Sequence, residues 1–217
     1  MRCQRGMSLL EAVLVVGLFA ILSTALFGMF HWGVTQFFLG ASRQSAQSQA
    51  ARALAVLEKT IREAPRDSVG LATGPGRQVT AGANTFSRDG VVVATLSNWS
   101  DASLYDVDGV PRWDRYMIFY ATNTVPTGEL RRVLIRPANP VVGPWILFPG
   151  GYLATPPLPT GGVIEQSTLL ADDLLHFKIS PAASGYRIEM IFQARASNGK
   201  EEFLQTNLLV TPRNADT

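Results

Sequence analysis

Glu11 is the residue whose placement asks for a chemical reason. It stands in an apolar run, five positions after Gly6, and from Ala12 to Ser42 no Asp, Glu, Lys or Arg follows it. A carboxylate near the end of such a run costs of order 1–3 kcal/mol unless it finds a partner. Its chemistry is therefore that of a charge awaiting a cation. Other reactive groups are sparse: the histidines are His31 and His176, and the sole cysteine is Cys3. That excludes an intrachain disulfide and a Cys-based zinc site. No G-x-S-x-G elbow, phosphate loop or H-E-x-x-H helix is present. The expectation is a chain without catalytic residues, cofactor or enzymatic activity.

Two charged clusters remain. Asp101, Asp106, Asp108 and Asp114 fall around "YDVDGVPRWD", and clustered oxygen ligands can hold calcium. They do not make an EF-hand loop, and Asp108-Gly109 reads more simply as a turn, so no metal is assigned and the four stand only as calcium candidates. Arg131, Arg132 and Arg136 could meet phosphates, but strand alternation separates Arg131 from the other two, as at a solvated edge. Net charge is +2, and without Arg2 and Arg5 basic and acidic residues balance at 17 each. This balance argues against nucleic acid as a partner.

The elements that must position these residues begin with an apolar segment. Met7 to Phe30 is 24 residues, about 36 Å as a helix and long enough to span a bilayer. Arg2 and Arg5 precede it and nothing basic follows until Arg43. The positive-inside bias places the N-terminus in the cytoplasm. A cleaved secretory signal could end at Ser23-Thr24-Ala25, yet the apolar stretch continues beyond that point. A plain anchor fits the length but leaves Glu11 unexplained.

The stretch "RGMSLLEAVLVV" resembles the prepilin motif of type IV pilins and type II secretion pseudopilins, with Met7 and Ser8 in place of the commoner Phe and Thr. The resemblance implies cleavage between Gly6 and Met7 by prepilin peptidase and methylation of the new amine. It also implies that Glu11, fifth in the mature chain, neutralises the Met7 amine of a neighbouring subunit during assembly. That pairing would turn a costly charge into a register device. The implied partners are other pilins or pseudopilins, an inner-membrane assembly platform and membrane lipid.

Beyond the membrane segment, Ala50, Leu54, Leu57, Ile61 and Ala64 recur in steps of four and three, one stripe of a helix that Pro65 ends. Glu58 and Arg62 are placed for an i,i+4 ion pair. A single helix from about Ser8 to Ala64 is expected. After Pro65 the period becomes two. "YRIEMIFQAR" sets Tyr186, Ile188, Met190, Phe192 and Ala194 on one face, Asn198-Gly199 supplies a hairpin turn, and "EEFLQTNLLVTP" returns. Further strands are expected at Gly90 to Leu96, Arg115 to Ala121, Leu130 to Arg136 and Leu174 to Ile179. Pro137 to Pro159 holds seven of the 13 prolines and reads as a surface excursion without a regular ladder.

The expected fold is α+β: a long N-terminal helix, transmembrane in its first half, followed by an antiparallel β-sheet domain, pilin-like. The units are a leader at 1–6, the transmembrane or filament-core helix at 7–30, its periplasmic continuation at 31–64 and a β-rich domain at 65–217. "AARALAVLEKTIREA", "LLADDLLHFKIS" and "NGKEEFLQTNLLVTPRN" look similar to J-type minor pseudopilins and W-type minor pilins. That implies a minor subunit at or near the tip of a pseudopilus or pilus, held in a bacterial inner membrane with its C-terminal domain periplasmic. A single-pass membrane-anchored binding domain and a DNA-uptake minor pilin are the alternatives.

Overall fold

The computed structural model describes residues 8–142, 156–157, 162–195 and 201–212. One helix, α1 (Leu9–Glu63), runs for 55 residues, about 80 Å at 1.5 Å per residue. Its end is set by Ala64, whose extended backbone leads into Pro65.

The chain then forms β1 (Val69–Ala72), β2 (Gln78–Ala81), β3 (Asn84–Ser87), β4 (Gly90–Thr95), β5 (Arg112–Trp113) and β6 (Arg115–Ala121). It continues through β7 (Gly128–Arg136), β8 (Val141–Val142), β9 (Val163–Ala182), β10 (Gly185–Arg195) and β11 (Glu201–Val210). Seven strands build one antiparallel sheet in the order β1-β4-β6-β7-β9-β10-β11. The strands β2 and β3 make a separate hairpin, whose turn opens on Gly82 at φ +62°, a backbone that favours glycine.

The sheet has two apolar faces. On one, Val91, Val93, Phe119, Leu174, Phe177, Ile188, Met190 and Phe192 pack beneath Ala46, Ala50, Ala53, Leu57 and Ile61 of α1. Small side chains along the helix let it approach the strands closely. Leu54 is only partly buried and Ala53 takes the central place, a rotation of the stripe from the expected one. On the other face, Val92, Ile118, Tyr116, Val133 and Ile135 lie under Trp113, with Leu104 and Tyr105 of the β4–β6 connection packed against them. Both faces of β4 and β6 are therefore inside, which is why Val91 to Ala94 are all buried in succession.

Three expectations are corrected. The strand expected at Leu174 to Ile179 is part of the second half of the 20-residue β9, which is longer because β7 pairs with its first half and β10 with its second. The strand carrying Arg131, Arg132 and Arg136 lies between β6 and β9, so it is not an edge. Within the proline-rich stretch, Val141–Val142 does form a ladder, with Arg112–Trp113. The Asn198-Gly199 turn and most of the stretch from 143 to 161 lie outside the described residues.

Candidate functional site: the amino-terminal helix

Ser8 caps α1. Its hydroxyl accepts a hydrogen bond from the Glu11 backbone N–H at 3.2 Å, and the Ser8 N–H donates to Glu11 Oε2 at 2.9 Å. This reciprocal pair satisfies two of the donors that a helix start leaves open, and it puts a negative charge at the positive end of the helix dipole. Glu11 is exposed and its carboxylate is held at the helix mouth. Gly6 and Met7 lie outside the described residues. The role of Ser8 escaped the sequence reading, although Ser8-x-x-Glu11 before an apolar run is a capping-box signature.

Past Glu11, the helix is apolar on every side. An 18-residue window has a mean hydropathy of 2.4, and none of it is buried by the rest of the chain. Phe19, Phe27, Met29, Phe30 and Trp32 all project outward. A helix apolar all round needs a membrane or other helices to cover it. Thr24 and Thr35 return their hydroxyls to the carbonyls of Ala20 and His31, at 2.8 and 3.0 Å, so neither brings an unsatisfied donor into that surface.

The first buried helix residue is Leu39. From there α1 is fastened to the sheet by polar contacts as well as by its stripe. Arg43, the first cation after the apolar run, is ion-paired with Glu202 of β11. Gln49 Oε1 accepts the backbone N–H of Asp172 at 2.7 Å, just before Asp173, whose φ is +51°. The expected Glu58–Arg62 pair is present. An open pocket of about 270 Å³ lies where the helix leaves the sheet, lined by Arg43, Gln47, Ala194, Glu202, Phe203 and Leu204.

Three of the four aspartates serve their own loop. Asp101 Oδ1 accepts the Ser103 N–H at 2.9 Å, and Asp106 Oδ1 accepts those of Asp108 and Val110 at 3.0 and 2.8 Å. Asp114 Oδ1 accepts the Ser97 N–H at 2.7 Å. The turn reading of Asp108-Gly109 holds, with Gly109 at φ +76°. Among the described residues no three His, Cys, Asp or Glu side chains come together as metal ligands. Two of the three arginines are likewise engaged: Arg131 pairs with Glu129 at 2.6 Å, and Arg136 with Glu165, which also meets Arg115 at 2.7 Å.

Two charges that no periodicity announces are buried side by side. Arg88 is fully enclosed and donates to the carbonyls of Leu174 and Pro126, and burial lowers its pKa to about 10. Asp89 Oδ2 accepts the Ile179 N–H at 3.1 Å, and burial raises its pKa against the pull of that bond, Lys178 and Arg77. His176 Nδ1 accepts the Ser87 N–H at 3.2 Å. Its pKa is lowered, first by burial. These contacts pin the β2–β3 hairpin to the middle of β9. Ser87, Asp89 and Lys178 also line an open cavity of about 310 Å³ beside that hairpin.

Compared with known proteins, residues 1–27 match the prokaryotic N-terminal methylation motif. No curated relative and no solved structure matches the chain. The match takes in Gly6, Met7, Ser8 and Glu11 and most of the uncovered helix surface. The chain thus carries a prepilin-type signal, which implies processing by prepilin peptidase and assembly with other pilins, ahead of an α+β pilin-like fold.

Proposed function

We propose that this chain is a minor pilin-like structural subunit of a type II secretion pseudopilus or type IV pilus, assembled at or near the tip. Prepilin peptidase cuts between Gly6 and Met7 and methylates the Met7 amine. The subunit then rests in the inner membrane, its sheet domain in the periplasm, until the assembly platform draws it into the filament. Glu11 leaves its capping position to meet the Met7 amine of the neighbouring subunit, which sets helix register. The sheet domain acts by presenting a surface, without catalysis. Supporting this is the continuity of the matched motif with a helix whose membrane-length window is bare of intrachain contacts.

The intact mass and N-terminal peptide of the protein from its native membrane test this reading. A chain starting at N-methylated Met7 is expected. A chain starting at Met1 would make it an ordinary anchored domain, and one starting at Leu26 a secreted one.

A further inference from the structure

The two edges of the main sheet are built differently. At one end β1 is four residues long, includes Gly70 and is approached through Pro65. Short edge strands of this kind resist pairing with other chains. At the other end β11 runs for ten residues in unbroken register with β10, from Arg195↔Glu201 to Tyr186↔Val210. Phe203 to Val210 contains no charge, proline or glycine, and no bulge interrupts the pairing. Among the described residues no strand covers its outer side. Phe203 and Leu209 project from the face away from α1, at 64% and 55% exposure, with the neutral Gln205 and Asn207 between them. The usual devices that protect a sheet edge are missing from these eight residues.

The position of this edge narrows what can occupy it. Glu202, near its start, is paired with Arg43, while Val210, at its end, lies opposite Tyr186, whose hydroxyl feels the charges of Arg66 and Asp67. The strand β11 therefore runs beside α1 in the same direction, and its edge continues the line of the uncovered apolar helix. Antiparallel pairing of β11 with the β11 of a second copy would point the two helices in opposite directions across one membrane. Parallel pairing of the same two edges would leave the helices on opposite faces of a joined sheet, unable to touch. The β1 edge of a second copy has the right direction but offers only four residues.

We infer that the outer edge of β11 is a β-addition site for an extended strand of a different pilin-like subunit, the neighbour whose helix packs against the front half of α1. Backbone hydrogen bonds supply the pairing and Phe203 and Leu209 flank it. This inference rests on the assembly reading above, and the test separates the two. A photoreactive residue is placed singly at Gln205, Asn207 or Phe27 of the full chain in its native membrane, and linked peptides are identified by mass spectrometry. The expected result is that Gln205 and Asn207 both link to one strand of another protein bearing its own prepilin-type motif, at sites two residues apart. With a probe at Leu209, the double variant Gln205→Lys, Asn207→Lys should lower that yield about tenfold with unchanged thermal unfolding. Links from Phe27 without links from β11, or links from β11 to β11 of another copy, would overturn the edge site and leave the assembly reading standing. Absence of links from all three positions would overturn both.

Discussion

Phe27 and Phe119 are the same side chain in opposite circumstances. Phe27 is 75% exposed on α1, while Phe119 is wholly buried in β6 under the helix. The difference runs through the molecule. The sheet domain covers most of its apolar groups with its own chain, Phe203 and Leu209 of β11 being among the exceptions, and holds its buried charges, Arg88 and Asp89, against backbone partners. The front of α1 leaves its apolar groups bare and carries one carboxylate, tied to Ser8. One region is closed by its own chain except along the β11 edge, and the other is covered only in a membrane or an assembly.

Substitutions that separate the two regions would sharpen this contrast. Phe119→Ala should cost about 3–5 kcal/mol, partly as cavity, and lower the unfolding midpoint of the full chain in detergent. Phe27→Ala should leave that midpoint unmoved. Equal shifts would break the distinction. Gly185→Ala places a methyl 2.0 Å from the Val210 carbonyl oxygen and should cost about 1–3 kcal/mol through overpacking of the β10–β11 pair, read in the same denaturation curve.

A smaller effect comes with pH. The lowered pKa of His176 means the folded state binds its proton less readily than the unfolded state. Its contribution to stability is therefore present above pH 6.5 and is lost as pH falls from there through its folded pKa. Glu189 opposes this lowering, while Lys178 and Arg88 add to it. Asp89, with a raised pKa, works in the opposite sense at more acid pH. Comparing His176→Gln with the native chain isolates the histidine: the variant should lose less stability between pH 7 and pH 5. Smallest is Glu202→Ala. It removes the exposed Arg43–Glu202 pair and should cost under about 1 kcal/mol, fading with salt.

How far the sequence revealed this fold differs between the same two regions. The helix was legible because its two halves have two patterns, apolar all round before Leu39 and a four-three stripe after it, with Pro65 as a stop. The β10 and β11 strands were legible by alternation. The strand β9 was legible only over Leu174 to Ile179, since Leu170 and Ala171 are both buried, then Asp172 and Asp173 are both exposed, then Leu174 and Leu175 are both buried. Alternation fails where the partners of β9 shift register, β7 between Gly128 and Arg131 and β10 between Ile191 and Phe192. The polar β2–β3 hairpin and the Arg88–Asp89 pair had no periodic signal, because they are fixed by contacts with β9 some 90 positions away. At the N-terminus the spacing of Gly6, Met7 and Glu11 was readable, since that segment is defined by local pattern.

The central claim is that the front of α1 works through neighbours and that Glu11 sets their register. It is tested most directly by comparing Phe27 cross-links of the native chain with those of Glu11→Ala in the native membrane. The account predicts that the variant still inserts, keeps its unfolding midpoint and loses the links to other pilin-like subunits. Unchanged links at unchanged positions would contradict it.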